Sequence, residues 1–246
     1  MPDFVPVTAH IHRLEVPWRW AGFVPTSVCV WLIRVGDRWT LVDCGPPESS
    51  DAVVSAVART THGRGPQTIL LTHAHPDHAG GLHALRAAWD PAILCHREEV
   101  GFVTGESDYR SLPTRSLAFR IGRRLHRMGR LELPVARDLE RGQAAEGMAI
   151  IHLPGHTPGH VGFLHPEDRA MICGDALTNV GGRLSPPPAL ATQDPEVARA
   201  ALKRLSELDY EFLLPSHGRP ILKGGRIVVA RWLGNAGGEA APRSHW

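Results

Sequence analysis

The sequence predicts a layered α/β or α+β protein, because short apolar and β-branched runs alternate with amphipathic helical stretches along most of its length. Apolar residues make up 43% of the 246 positions, enough to build one sizeable core. The Pro/Gly clusters Gly45-Pro46-Pro47, Gly181-Gly182 and Pro186 to Pro188 are too short for linkers, and no long repeat or low-complexity tract is present. A single domain over 1–246 is therefore expected.

The elements follow in order. From Val28 to Cys44, VCVWLIRV and RWTLVDC flank Gly36-Asp37 and read as a β-hairpin. A helix is expected from Asp51 to Arg59. TILLTH then reads as a strand, HAGGLHALRAAW as a helix, AILCH as a strand and EEVGFV as a short helix. AIIHLPGH, VGFLH and RAMICGD follow as strands. Asp194-Pro195 opens a helix, since the carboxylate caps free N–H groups and proline at the first helical position loses no hydrogen bond. FLLPSHG closes the series as a strand. One segment differs in texture: Arg110 to Arg130 holds seven arginines and no acid. Leu117, Ile121, Leu125 and Met128 recur there at helical spacing, with Arg120, Arg123, Arg124, Arg127 and Arg130 on another face. This basic amphipathic helix is expected to belong to a helical cap inserted at about 100–147. Arg120, Arg124 and Arg127 are its candidate contacts to an anionic substrate.

Composition excludes several classes. With 27 Lys+Arg against 25 Asp+Glu the formal charge is +2, so global electrostatics selects no nucleic-acid partner. No run approaches the roughly 20 apolar residues of a membrane span. The opening MPDFVPVTAHIHRLEVPWRW lacks the basic and apolar regions of a secretory signal, so a cytoplasmic location is expected. Cys29, Cys44, Cys95 and Cys173 form no CxxC pair, and three of them lie in apolar runs, which reads as reduced core thiols. His10, His12 and His245 read as surface residues and His96 as structural. The 15 histidines are about three times ordinary usage.

That excess is concentrated where strands end. ILLTHAHPDHAGG places His73, His75, Asp77 and His78 at the end of an apolar strand. His73 and His75, two apart, can face one ion while Asp77 and His78 turn toward a second. Imidazole nitrogen and carboxylate oxygen suit zinc and similar borderline metals. IIHLPGHTPGH with His156, AMICGD with Asp175 and FLLPSHG with His217 repeat the pattern. Such groups at buried strand ends are costly to desolvate unless a cation compensates.

HAHPDH at 73–78, GHTPGH at 155–160, GD at 174–175 and SHG at 216–218 resemble the ordered motifs of the metallo-β-lactamase-fold superfamily of metallohydrolases, and LVDCG at 41–45 resembles its preceding strand-and-turn motif. The resemblance implies an α+β fold, a four-layer αβ/βα sandwich with two sheets face to face and a dinuclear site at one edge. His73, His75 and His156 would hold the first metal, Asp77, His78 and His217 the second, and Asp175 would bridge both. Zinc is the expected metal, with manganese and iron as other occupants. A bridging water acidified from about 15.7 toward roughly 7 would supply the nucleophile, which Asp77 could orient. Asp43 would support a ligand histidine or the following turn. His160 reads as a packing or hydrogen-bonding residue.

The expected reaction is hydrolysis of an ester, thioester or lactone in a small molecule. A true β-lactamase is disfavoured by the absence of a cysteine at the bridging position. Hydroxyacylglutathione hydrolases share the ligands but close with a helical C-terminal domain, and 29 residues follow His217 here. Some lactonases carry a tyrosine three residues after the bridging aspartate, where this chain has Thr178. Two alternatives stay open: a persulfide dioxygenase holding one iron on His73, His156 and Asp175, and a nuclease of the same fold. Trp18, Trp20 and Phe23 precede the first hairpin, in a segment that in the family often overhangs the site.

Overall fold

The computed structural model describes residues 2–20, 23–125, 131–140 and 144–235. Strands β1 (Val5–Pro6), β2 (Ile11–Trp20), β3 (Val24–Val35), β4 (Arg38–Val42), β5 (Thr68–Leu70), β6 (Ala92–His96) and β7 (Arg137–Leu139) form one sheet in that spatial order. Strands β8 (Ala144–Ala145), β9 (Met148–His152), β10 (Val161–His165) and β11 (Ala170–Gly174) precede a small hairpin of β12 (Thr178–Val180) and β13 (Arg183–Ser185), and β14 (Phe212–Pro215) follows. The second sheet runs β14-β11-β10-β9-β8. The helices are α1 (Ser50–Thr60), α2 (Pro76–Ala79), α3 (Leu82–Trp89), α4 (Arg97–Thr104), α5 (Leu117–Leu125), α6 (Pro195–Ala201), α7 (Lys203–Glu207) and α8 (Gly225–Asn235).

Side-chain alternation decides the layering. In β3, Val28, Val30 and Leu32 pack with Val53, Val57, Leu82 and Leu85 of α1 and α3. The intervening Cys29, Trp31 and Ile33 meet Ile150, Phe163 and Ile172 of the other sheet. In β11, Ala170 and Ile172 join that inter-sheet core while Met171 and Cys173 face Leu205 and Val229 of α7 and α8. Both sheets are thus apolar on both faces, as a strand covered on two sides requires. The result is the four-layer αβ/βα sandwich. All four cysteines are buried free thiols inside it. Among the described residues no helix is long and apolar enough to cross a membrane.

The structure departs from or adds to the sequence reading at three places. The segment holding Trp18 and Trp20 is a strand: β2 pairs with β3 over its whole length, from Ile11↔Ile33 to Trp20↔Val24. Its signal was masked because Pro17, Arg19 and the histidines interrupt the apolar run. The helix expected over HAGGLHALRAAW breaks into α2 and α3 at Gly80-Gly81. Here the LVDCG turn passes so close that a Cβ on Gly81 would lie 2.3 Å from the Cys44 carbonyl oxygen. Backbone bonds from Cys44 N to His78 O (2.6 Å) and from Gly81 N to Gly45 O (3.0 Å) fasten that turn to the 73–78 loop. Finally, α5 buries Phe119 and Gly122, where a Cβ would lie 1.9 Å from the Leu190 carbonyl oxygen, while Leu117 and Ile121 are exposed. The described part of the apolar stripe, Leu117 and Ile121, is therefore turned outward, while the side chain of Leu125 and the whole of Met128 lie outside the described residues. Strand pairing resumes at Arg137 in β7, so the end of the expected 100–147 insertion belongs to the sheets.

His10 and His12, read as surface residues, are half-buried, and His245 lies outside the described residues. His10 Nδ1 sits 2.8 Å from Asp168 Oδ1, joining the β1–β2 turn to the β10–β11 turn. The hydrogen bond to Asp168 holds the imidazole above its usual value near 6.5. Stability from this pair is full below the unfolded value of 6.5 and is lost as pH rises through the raised folded value. His10→Gln is accordingly expected to lower stability by about 0.5–1 kcal/mol at pH 6 and by less at pH 9. Denaturant titrations at both pH values check this; an equal deficit at each sinks it.

Candidate metal centre

Every chemically reactive element of the site begins where a strand ends. After β5 the chain runs through Thr72, His73 and Ala74 to His75, which precedes α2; Pro76 starts that helix and Asp77 and His78 lie in its first turn. His156 lies in the loop joining β9 to β10, and Asp175 directly follows β11. The parallel pairing of β11 with β14 sets Gly174 beside Pro215, which brings Asp175 next to the Ser216-His217 loop.

The seven residues meet as two trios and a shared carboxylate. His75 Nδ1 lies 2.9 Å from His73 Nε2 and 3.0 Å from His156 Nε2. Asp77 Oδ2 lies 3.2 Å from His217 Nε2 and 3.6 Å from His78 Nε2. Asp175 stands between them, with Oδ2 3.4 Å from His156 Nε2 and Oδ1 3.5 Å from both His78 Nε2 and His217 Nε2. His78 Nε2 and Asp175 Oδ1 are buried and make no hydrogen bond. A cluster of inward nitrogens and carboxylate oxygens, with two buried polar atoms lacking hydrogen bonds, fits a cation far better than it fits itself.

The outer ring nitrogens are held by partners that aim the inner ones. Asp43 Oδ2 accepts from His78 Nδ1 at 2.8 Å, and Asp43 Oδ1 accepts from the Thr72 amide at 2.8 Å. The Thr72 hydroxyl donates to Asp43 and sits 3.0 Å from His73 Nδ1. His217 Nδ1 donates to the Ser27 carbonyl at 2.7 Å, and His156 Nδ1 is 3.3 Å from the Thr192 hydroxyl. Asp43 itself is fully buried at φ +59°, a left-handed conformation that aspartate tolerates better than most residues. His160 Nε2 accepts from the Asp175 amide at 2.9 Å, fixing that peptide. His96 caps α4 by accepting from Glu98 N and stacks on His152.

Electrostatics divides the site. Burial, with neighbouring histidines adding to it, pushes His73 and His156 well below the usual imidazole value, which keeps their lone pairs available. Burial alone would raise Asp77 and Asp175, but His78 and His217 outweigh it and hold both carboxyls ionised. Burial opposes charge on His78 too, yet Asp175, Asp77 and Asp43 bring it up to about 10.

A cavity of about 350 Å³ opens onto the centre. Trp18, Trp20 and Val24 of the β2–β3 hairpin form one wall, and Phe119, Pro188 and Leu190 another. Asp77, His75, Asp175, Thr178 and Tyr109 also line it. None of its described lining residues is lysine or arginine. Arg120 is exposed and is not among them. The side chain of Arg124 and the whole of Arg127 lie outside the described residues. Sequence reasoning missed Thr72, Glu99, Tyr109 and Thr192, whose roles depend on contacts between distant loops.

Comparison with known proteins agrees with this geometry. Residues 24–217 match the family model of the metallo-β-lactamase superfamily. The chain belongs to that superfamily and is a metal-dependent hydrolase. It is 30% identical over 202 residues to the probable metallo-hydrolase YflN of Bacillus subtilis (strain 168), covering 74% of this chain and 76% of that one. It is 32% identical over 159 residues to the hydroxyacylglutathione hydrolase of Pseudomonas aeruginosa (strain LESB58), covering 63% of this chain and half of that protein. Among solved structures, TTHA1623 in a di-iron-bound form superposes with a TM-score of 0.63 at 32% identity, over 85% of this chain and 94% of the other.

Proposed function

We propose that the chain hydrolyses an ester, thioester or lactone with two divalent ions, the first held by His73, His75 and His156, the second by Asp77, His78 and His217, and both by Asp175. The observation that carries this reading is the convergence of seven ligand side chains, buried except for the partly buried His217, with His78 Nε2 and Asp175 Oδ1 making no hydrogen bond. Zinc suits the imidazole-rich set. Manganese and iron accept the same donors, and the di-iron form of TTHA1623 supports including iron. When bound, the pair lowers the pKa of a water from about 15.7 toward roughly 7 and polarises the scissile carbonyl.

The chain's own groups do the rest. Asp77 is held ionised and faces the cavity, so it can accept a hydrogen bond from the attacking water and orient it. The apolar walls exclude bulk water and receive the substrate's acyl or aromatic part. A neutral, largely apolar small molecule fits this lining better than the anionic substrate expected from the arginine segment. The thioester option draws support from the hydroxyacylglutathione hydrolase relative.

Elemental analysis of the purified chain, followed by a panel of esters, thioesters and lactones, tests the reading. About two equivalents of zinc, manganese or iron are expected. About one equivalent of iron, with oxygen uptake on glutathione persulfide, would replace it by the dioxygenase. Trp18→Ala tests the cavity: removing this wall is expected to raise KM about 10-fold or more with kcat changed only a few-fold. Arg120→Ala should leave KM unchanged. The opposite pattern, in steady-state kinetics on the best substrate, would restore the anionic cap.

A further inference from the structure

Glu99 lies in the first turn of α4 beside Glu98, where an acid at a helix start needs no further explanation. Glu98 is exposed, however, and Glu99 is completely buried, on the same face as Val103. Its carboxylate takes four donors from three separate segments. Oε2 accepts from the Ala74 amide at 3.0 Å and from the Tyr109 hydroxyl. Oε1 accepts from the Thr157 hydroxyl at 2.7 Å and the Gly159 amide at 2.9 Å. Ala74 stands between His73 and His75, and Thr157 follows His156. One side chain therefore binds together the backbone that carries the whole first trio. No hydrogen bond from it reaches Asp77, His78 or His217. The approach is tight: a Cβ on Gly159 would lie 2.7 Å from Glu99 Cγ. Tyr109 completes the arrangement, its ring stacked on Phe102 at 3.8 Å and packed 4.8 Å from the His75 ring. Its hydroxyl is turned to Glu99 and Ala74, so it presents a ring to the cavity edge and not a proton donor.

We propose that Glu99 is the positioning residue of the first metal alone, locking His73, His75 and His156 in register across two loops while Asp43 grips His78 of the second. The assignment rests on the dinuclear reading above. A carboxylate can accept four donors, whereas an amide group placed at either oxygen would face the Ala74 or Gly159 N–H, neither of which can turn to accept. Glu99→Gln therefore removes the lock with almost no change in shape.

The test is titration of the full-length, metal-stripped chain with Zn²⁺ against a chromophoric chelator, with circular dichroism to confirm folding. The parent chain is expected to take up about two equivalents, and Glu99→Gln to keep one at parent affinity and bind the other about 10–100-fold more weakly. Placed on His217→Ala, the change should weaken the single remaining equivalent; placed on His156→Ala, it should not. Unchanged affinities in Glu99→Gln, or equal weakening of both equivalents, overturn the proposal. A parent chain binding fewer than two equivalents overturns the dinuclear reading instead. Should Glu99→Gln fail to fold, Tyr109→Phe and Thr157→Val each delete one donor and are expected to weaken the same equivalent several-fold; no change in either overturns the proposal.

Discussion

Replacing Asp175 by Ala is expected to lower kcat/KM by roughly three orders of magnitude or more and to reduce bound metal below that of the parent chain. Its two oxygens lie 3.4–3.5 Å from nitrogens of both trios, so the variant loses a carboxylate that both halves of the centre share. A loss of several kcal/mol of transition-state stabilisation corresponds to about 10³ in rate. Elemental analysis and steady-state kinetics on the same preparation check both parts. Full activity with full metal content would dismantle the site assignment.

The second large effect is expected at Asp43. Asp43→Ala removes the acceptor of His78 Nδ1, the Thr72 amide and the Thr72 hydroxyl in a place with no access to water. Breaking a buried charged pair by deleting one member costs about 3–5 kcal/mol, and the residue at 43 must also keep a left-handed backbone. Asp43→Asn keeps the shape but cannot accept at both positions, so His78 loses the hydrogen bond that points Nε2 inward. About 10–100-fold in metal affinity or activity is expected from it, with a smaller loss of stability. Denaturant unfolding separates the two variants; an Asp43→Ala chain as stable as the parent would show that the turn, and not the carboxylate, does the holding.

The layered fold and the seven inward-facing residues were legible because their causes are local. An apolar run followed at once by His or Asp is visible in HAHPDH, in GHTPGH, in GD and in SHG, and the hairpin turn at Gly36-Asp37 needs only its own residues. What stayed hidden depends on distant neighbours. Glu99 and Glu98 look identical as first-turn acids, and only the arrival of the 155–160 loop makes one of them a buried acceptor. No strand is read at Trp18 and Trp20 because Pro17 and Arg19 interrupt the apolar run, yet ten pairings to β3 hold them in one. In α5 the helical spacing was real, but Gly122 packs against the Leu190 backbone and Phe119 is buried, so tertiary packing left Leu117 and Ile121 exposed. Arg120 is exposed and off the cavity lining for a related reason: a charge run shows which residues can meet an anion, not where the helix turns them.

The seven-residue centre also has a consequence for assembly. His73, His75, Asp77 and His78 follow the first sheet, whereas His156, Asp175 and His217 follow strands of the second. An ion at either position would be gripped from both sides of the inter-sheet core. Neither half of the chain alone can offer three donors to the second position, or close the first, until Trp31 and Phe163 have found the same core. Metal capture would thus act as a rivet set last, reporting that the sandwich has closed and then slowing its reopening.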